Sequence, residues 1–191
     1  MKKNYEADEA FWLESIRKGD ELAFECLFKQ NYERLTRFAS SYTSSKAIAE
    51  EIVQDVYAEI WEKRENLNVS VSLRAYLYMK IKNRCLNHLK HQRVKETYDP
   101  QWVEHIMVTT QPDEQLAVNK LKIAIQKAVE QLPPKSKATF KLHRFDGLTY
   151  NEIAEVMDVS QKTVESQMTR TLKMLRKHLS HLLSFFFILP W

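Results

Sequence analysis

Three groups of side chains in this sequence have the types and spacing to do chemistry, and in each the chemistry is recognition rather than bond-making. The first is Tyr76, Lys80, Asn83, Arg84, Asn87, Lys90 and His91, which gather on one face of a helical stretch. Lys and Arg neutralise phosphate, Asn hydrogen-bonds base edges and Tyr stacks on an unpaired base. A single strand or an opened duplex needs that mixture. The second is Lys162, Glu165, Ser166, Thr169, Arg170, Lys173, Arg176 and Lys177, set on one side of a helical stretch. Its other side is Val164, Met168, Leu172, Leu175 and Leu179. The third is Glu51, Asp55, Glu59 and Glu62, four acids in helical register. A charge stripe is ordinarily a solvated face. Such faces usually mix signs, however, to form i,i+4 pairs and avoid repulsion, so the unmixed stripe also fits a basic partner.

Cys85, His88 and His91 are spaced i, i+3, i+6 and raise the question of a metal. A structural zinc takes four ligands; no further Cys or His lies conveniently near, and the three drift from the apolar side of their helix to the basic one. Cys85 is expected to be packed and the histidines solvated. No catalytic residue, cofactor, metal or small-molecule substrate is expected.

The elements that position these groups are helical. The 191 residues include only two glycines, too few for hairpins and tight turns, and a P-loop or dinucleotide fingerprint is excluded because each needs closely spaced glycines. The net charge of +4 is modest, but its distribution is not. Residues 71–95 carry seven Lys/Arg and no acid, 96–115 five acids and no Lys/Arg, and 161–178 five Lys/Arg and one Glu. Two basic segments flanking an acidic one imply two nucleic-acid contacts on two modules. Cys26 and Cys85 are solitary and the N-terminus lacks an apolar signal core, which points to a reducing cytoplasm. The apolar "LLSFFFILPW" (182–191) is too short to span a bilayer, which takes about 20 residues. It is expected either to fold back on the last helix or to dock another protein.

In the first module, helix 8–17 stops at Gly19 and Asp20 caps the next, which runs over 22–42. Ser44 or Ser45 caps the amphipathic stretch 47–67, whose apolar stripe is Ala49, Ile52, Val53, Val56, Tyr57 and Ile60. "ENLNVSVS" (65–72) is a loop with Ser72 as cap of helix 73–92. Leu77, Tyr78, Ile81, Cys85, Leu86 and Leu89 of that helix face inward. Residues 96–115, with Pro100 and Pro112, read as a linker. In the second module, helix 116–132 turns Leu116, Leu121, Ile125 and Val129 inward and breaks at "LPPK". Helix 135–145 stops at Asp146-Gly147. Thr149 and Glu152 form a capping box, with Leu148 and Ile153 as a hydrophobic staple. Helix 150–157, a turn at 158–160 and helix 161–177, capped by Ser160 and stapled by Val159 and Val164, then make a helix-turn-helix. Asp158 stands where many such motifs have glycine. The N-terminal part of the second helix of such a motif enters the major groove.

The stretches "AEEIVQDVYAEIWEKRENL", "SLRAYLYMKIKNRCLNHLK" and "LPPKSKATFKLHRFDGLTYNEIAEVMDVSQKTVESQM", in this order, resemble the extracytoplasmic-function (group 4) sigma factors of bacterial RNA polymerase. The similarity runs from about Glu21 to Leu179. It implies an all-α chain of two small helical domains joined by a flexible acidic linker. A sigma-2-type domain (8–95) would bind core polymerase and open the −10 region. After the linker (96–115), a sigma-4-type domain (116–180) would read the −35 element, followed by an apolar tail (181–191).

The resemblance assigns Gln54, Asp55 and Glu59, with Glu51 and Glu62 of the same stripe, to the β′ clamp helices of core polymerase. It assigns the loop holding Asn66 and Asn68 to capture of a flipped base. Tyr76, Lys80, Asn83, Arg84, Asn87 and Lys90 fall to −10 DNA. The span from Lys135 to Arg144 falls to the β flap. Ser160, Gln161, Lys162, Thr163, Glu165, Ser166, Thr169, Arg170 and Lys173 fall to −35 DNA. Glu165 and Gln167 depart from relatives, where Lys or Arg is frequent. The resemblance further implies a non-catalytic, cytoplasmic initiation subunit held inactive by an anti-sigma factor, often a membrane protein. Two other readings are a free-standing DNA-binding regulator, which leaves the acidic stripe unexplained, and an adaptor protein, which leaves both basic faces unexplained.

Overall fold

Gly19 and Asp20 make the first corner of the chain. In the computed structural model, which describes residues 9–43, 45–95 and 116–187, α1 (Glu9–Arg17) ends with Gly19 at φ +80°. Of residues 9–10, 93–95, 116–122 and 179–187 only the backbone is described. The left-handed turn lets the Gly19 N–H donate to the Ile16 carbonyl and the Asp20 N–H to the Ser15 carbonyl, each at 3.0 Å, satisfying carbonyls the helix end would otherwise strand. The Asp20 carboxylate then accepts the Ala23 N–H at 3.1 Å and caps α2 (Glu21–Ser40).

The first of two compact units, Met1–Met107, is built around α3 (Lys46–Glu62), which packs on α2 and on α4 (Leu73–Lys95). All six residues of its expected apolar stripe are buried, none more than 5% exposed. α4 adds Leu77, Tyr78, Ile81 and Cys85, and α2 adds Leu27, Leu35 and Phe38. Aromatic edges lock the helices together, with Phe28 on Tyr57 and Phe38 on Tyr78, both at 4.9 Å between centroids. Leu86, expected inward, is 44% exposed; it lies 100° past Cys85 and off the buried line. The stretch expected to stay amphipathic to residue 67 leaves the α-helix at Glu62. It passes through a 3₁₀ turn, Arg64–Asn66, which drops Leu67 into the core at 4% exposed. Ser45 is the N-cap of α3 without a side-chain cap bond; Ser44 lies outside the described residues. Ser72 caps α4, accepting the Ala75 N–H at 3.0 Å.

The second unit, Val108–Trp191, holds α5 (Leu116–Glu130), α6 (Pro134–Arg144), α7 (Tyr150–Met157) and α8 (Gln161–Phe187). Pro134 starts α6, where its missing N–H costs nothing. Gly147, at φ +73°, turns the chain so that the Leu148 N–H reaches the Leu142 carbonyl at 3.0 Å. Leu132, Leu142, Leu148, Ile153, Val156 and Val164 form the core. Burial on α5 is concentrated in its last turn, at Ala128 and Val129. Ile125, expected inward, lies one turn earlier and is 36% exposed. The side chains of Leu116, Leu121 and Leu179 and the expected linker 96–115 lie outside the described residues. Helix α8 runs past Lys177 to Phe187, so the first part of the apolar segment continues the helix instead of folding back. Leu182–Phe187 holds no helix breaker, and the first proline beyond it is Pro190; residues 188–191 lie outside the described residues. No helix among the described residues is long and apolar enough to cross a membrane.

Candidate nucleic-acid interface

The second unit presents α8 through two capping devices. At the start of α7, the Glu152 carboxylate accepts the Thr149 N–H at 2.7 Å and the Thr149 hydroxyl at 2.9 Å. The Glu152 N–H donates back to Thr149 Oγ1 at 3.3 Å. The box is complete, and it fixes the entry angle of the motif. Asp158 then adopts φ 56°, ψ 54°, and is the one non-glycine residue with positive φ among those described. That turn brings the Val159 N–H to the Ala154 carbonyl at 3.0 Å. Ser160 caps α8 by accepting the Thr163 N–H at 3.2 Å, and its hydroxyl pairs with Thr163 Oγ1 at 2.8 Å.

The outer face of α8 carries the expected residues. Gln161, Lys162, Glu165, Ser166, Thr169, Arg170 and Lys173 are exposed, Ser160 is exposed at the cap, and Thr163 is half-buried. Three expectations are corrected. The inward line is Val164, Met168, Thr171 and Leu175; Thr171 is fully buried, while Leu172 is 48% exposed, because residue 172 sits about 80° around the helix from Val164. Val159, expected to staple onto Val164, is 38% exposed; the left-handed turn engages its backbone and leaves its side chain outside. Gln167 points inward, where its Oε1 accepts from the buried Thr139 hydroxyl of α6 at 2.8 Å. Glu165 therefore stands alone as the departure on the outer face, and the Gln161 amide donates to its carboxylate at 3.1 Å.

In the first unit, Asn83, Arg84, Asn87, Lys90 and His91 are exposed on α4, with Tyr76 and Lys80 half-buried beside them. Lys80 Nζ lies 5.6 Å from the centre of the Tyr76 ring, a cation–π contact. The face does not stand free of acids. Glu59 of α3 accepts from Lys80 and from Lys63, each at 3.1 Å. The Arg84 guanidinium lies 3.8 Å from Glu59 and 3.9 Å from Asp55. The acidic stripe of α3 is thus partly answered within the chain, against the expectation of a line without basic neighbours. Lys63 is its i+4 neighbour, but Lys80 and Arg84 arrive only when α3 and α4 pack. The Lys80 and Lys63 hydrogen bonds hold the Glu59 carboxyl below its usual range, against a smaller opposing effect of burial. Burial lowers the Lys80 ammonium, but its bond to Glu59 and the nearby Tyr76 together outweigh that and leave it raised. Glu51, Gln54, Asp55 and Glu62 remain exposed.

Asn66 and Asn68 are exposed on either side of the buried Leu67. The Leu67 carbonyl accepts a hydrogen bond from Arg17 Nη2 of α1, a contact spanning fifty residues that no local pattern announces. Cys85 is fully buried and its thiol is pushed up to about 12 by that burial, while His91 is exposed; the helix sends them to different sides. On α6, Lys137 and Lys141 each donate to Glu130 at 3.0 Å, tying the end of α5 to α6. Lys135, His143 and Arg144 are left exposed.

The segments that form the two units match known proteins. A model of sigma-70 region 2 matches residues 27–94, and a model of sigma-70 region 4 matches residues 122–175. An ECF RNA polymerase sigma-E factor of Haemophilus influenzae is 23% identical over 182 residues, 90% of this chain and 95% of its own. An ECF RNA polymerase sigma factor RpoE of Cereibacter sphaeroides is 26% identical over 181 residues, 91% and 98% of the two chains. Among solved structures, the sigma factor RpoE of Bartonella quintana, in complex with the anti-sigma factor NepR, shares the fold at a TM-score of 0.61 and 20% identity. The match covers 82% of this chain and 96% of that one. CnrH, in complex with the cytosolic domain of CnrY, does so at 0.60 and 18%, over 91% and 97%. With regions 2 and 4 matched in order over well over half its length, each within one of its two units, the chain belongs to the extracytoplasmic-function sigma factors of the sigma-70 family.

Proposed function

We propose that this sigma factor directs promoter-specific initiation by RNA polymerase through a division of labour between its two units. In the first, the exposed acids Glu51, Asp55 and Glu62, with Gln54, dock on the β′ clamp helices of core polymerase. Glu59 contributes mainly by holding Lys80 and Arg84. The α4 face of Tyr76, Lys80, Asn83, Arg84, Asn87 and Lys90 binds the −10 strand, and the loop with Asn66 and Asn68 takes a flipped base, which offsets an unstacking cost of a few kcal/mol. In the second, the outer face of α8 reads the −35 duplex while Lys135, His143 and Arg144 meet the β flap. The protein supplies binding and deformation energy and no catalytic group; the polymerase performs the phosphoryl transfer. We place it in the cytoplasm, with an anti-sigma factor as its inhibitor.

The observation that carries this reading is the pairing, in one chain, of an exposed helix-turn-helix face bearing Lys162, Arg170 and Lys173 with a separate exposed face on α4 bearing Asn83, Arg84, Asn87 and Lys90. The experiment is transcription in vitro with sigma-free core polymerase and fragmented genomic DNA, followed by sequencing of 5′ ends. Discrete starts sharing −35 and −10 elements, absent without the chain, are expected. No new starts and no binding to core would overturn the reading in favour of a free-standing regulator. Arg170→Ala should weaken −35 binding and lower the slope of log affinity against log salt by about one if Arg170 meets phosphate. It should instead relax one base position, at roughly 1–3 kcal/mol, if it meets a base.

A further inference from the structure

We propose that Arg17, on the short helix α1, is a positioning residue for base selection: it holds the backbone of the Asn66–Asn68 loop in the shape that receives a base. The proposal rests on the reading of that loop as the base-capturing element. Helix α1 lies upstream of the region-2 match, which begins at residue 27.

The geometry is specific. Arg17 Nη2 donates to the carbonyl of Leu67, the central residue of the loop, between the exposed Asn66 and Asn68. The Leu67 side chain is anchored in the core and its N–H bonds the Arg64 carbonyl at 3.4 Å. Both Leu67 side chain and carbonyl are therefore held, and the two asparagines project from a fixed backbone. The donor is fixed as well. Trp12 and Ile16 of α1 are buried and the helix is ended by the Gly19 turn. A Cβ built on Gly19 would sit 3.6 Å from Arg64 Nε, so the end of α1 lies directly against the 3₁₀ turn that leads into the loop. Arg64 in turn donates to the Trp61 carbonyl at 2.7 Å and lies 4.7 Å over the Trp61 ring. Arg17 Nε is buried without a hydrogen-bond partner, and no carboxylate pairs with the guanidinium among the described residues. Arg17 is half-buried, and among the described residues its guanidinium is directed by the one backbone carbonyl it reaches, so the bond fixes the loop backbone more than it stabilises the fold.

The test uses the full chain with core polymerase and a promoter defined by the transcription experiment, rebuilt with each of the four bases at every non-template −10 position. Initiation from each is compared for wild type, Arg17→Met, Arg17→Lys, Asn66→Ala and Asn68→Ala. A ratio between promoters does not depend on the folded fraction of a sample, so a variant that folds less well still reports. Arg17→Met should reduce discrimination about tenfold at the position that Asn66→Ala or Asn68→Ala also affects, the scale of a hydrogen bond to a charged group. It should leave the −35 preference unchanged, and Arg17→Lys should recover part of the loss. If an asparagine variant alters one position while Arg17→Met scales all promoters equally or changes nothing, Arg17 is not a positioning residue. If both asparagine variants leave every −10 position unaltered, the loop does not read a base and the proposal falls with that reading.

Discussion

At the scale of single residues, Glu59 joins the two candidate faces of the first unit. One carboxylate answers Lys63, Lys80 and Arg84, so the cations assigned to DNA are held by an acid assigned to polymerase. A carboxyl whose folded pKa is depressed stabilises the fold above its ordinary unfolded pKa, and that contribution is lost as pH falls through the depressed value. Glu59 is depressed by Lys80 and Lys63. Glu59→Gln should therefore cost up to about 1 kcal/mol at neutral pH, the scale of partly exposed ion pairs. The difference from wild type should close as pH falls below the usual carboxylate range, as urea denaturation at pH 7, 5 and 3 would record. The same variant releases Lys80 and Arg84 toward phosphate. Its binding to single-stranded DNA should become more salt-dependent, with the slope steepening by about 0.7 for each further phosphate neutralised.

At the scale of elements, the recognition helix depends on two local devices. Asp158 occupies a left-handed conformation that costs a residue with a Cβ about 1–2 kcal/mol, less where Asp bonds locally. Asp158→Gly should leave thermal stability unchanged or slightly raised. Asp158→Val should lower it by about 1–2 kcal/mol and weaken −35 binding in parallel, because the turn sets how α8 leaves α7. Thr149→Ala removes one half of the capping box and strands the Glu152 N–H. A loss of about 1 kcal/mol is expected, read as a lower midpoint for the second unit in calorimetry. Neither position is assigned a contact with DNA, so Thr149→Ala should lose −35 binding only in proportion to folded protein, whereas Asp158→Val should lose more, because it changes how α8 leaves α7.

At the scale of the whole molecule, each unit closes its own core, around α3 in one and around Leu142, Leu148, Ile153 and Val164 in the other. Leu77 is fully buried in the first. Leu77→Ala should destabilise that unit by about 2–5 kcal/mol through lost burial and the cavity left behind. Calorimetry should show its transition falling while that of the second unit stays in place; a single transition moving as one would mean that the cores are not independent. Promoter function should then fail through −10 opening, with −35 duplex binding by the chain retained.

The amino-acid sequence alone determined where most of the helices begin, because caps act within a few residues. Asp20, Ser72, Thr149 with Glu152, and Ser160 all cap as their positions dictate. It also determined the deep stripe of α3, since helical periodicity marks the centre of a buried face. Stripe edges were less legible. Ile125, Leu86 and Leu172 are exposed and Thr171 is buried, because the edge of a stripe is settled by how a neighbouring helix lies across it. The course of α8 beyond Lys177 was also not legible, since an apolar run without a breaker suits continuation and return equally. Only tertiary packing decided the contacts that tie the candidate site together: Lys80 and Arg84 on Glu59, Gln167 on Thr139, and Arg17 on the Leu67 carbonyl. Each joins residues more than 20 positions apart, so its pairing depends on helix-to-helix geometry, which local patterns do not encode.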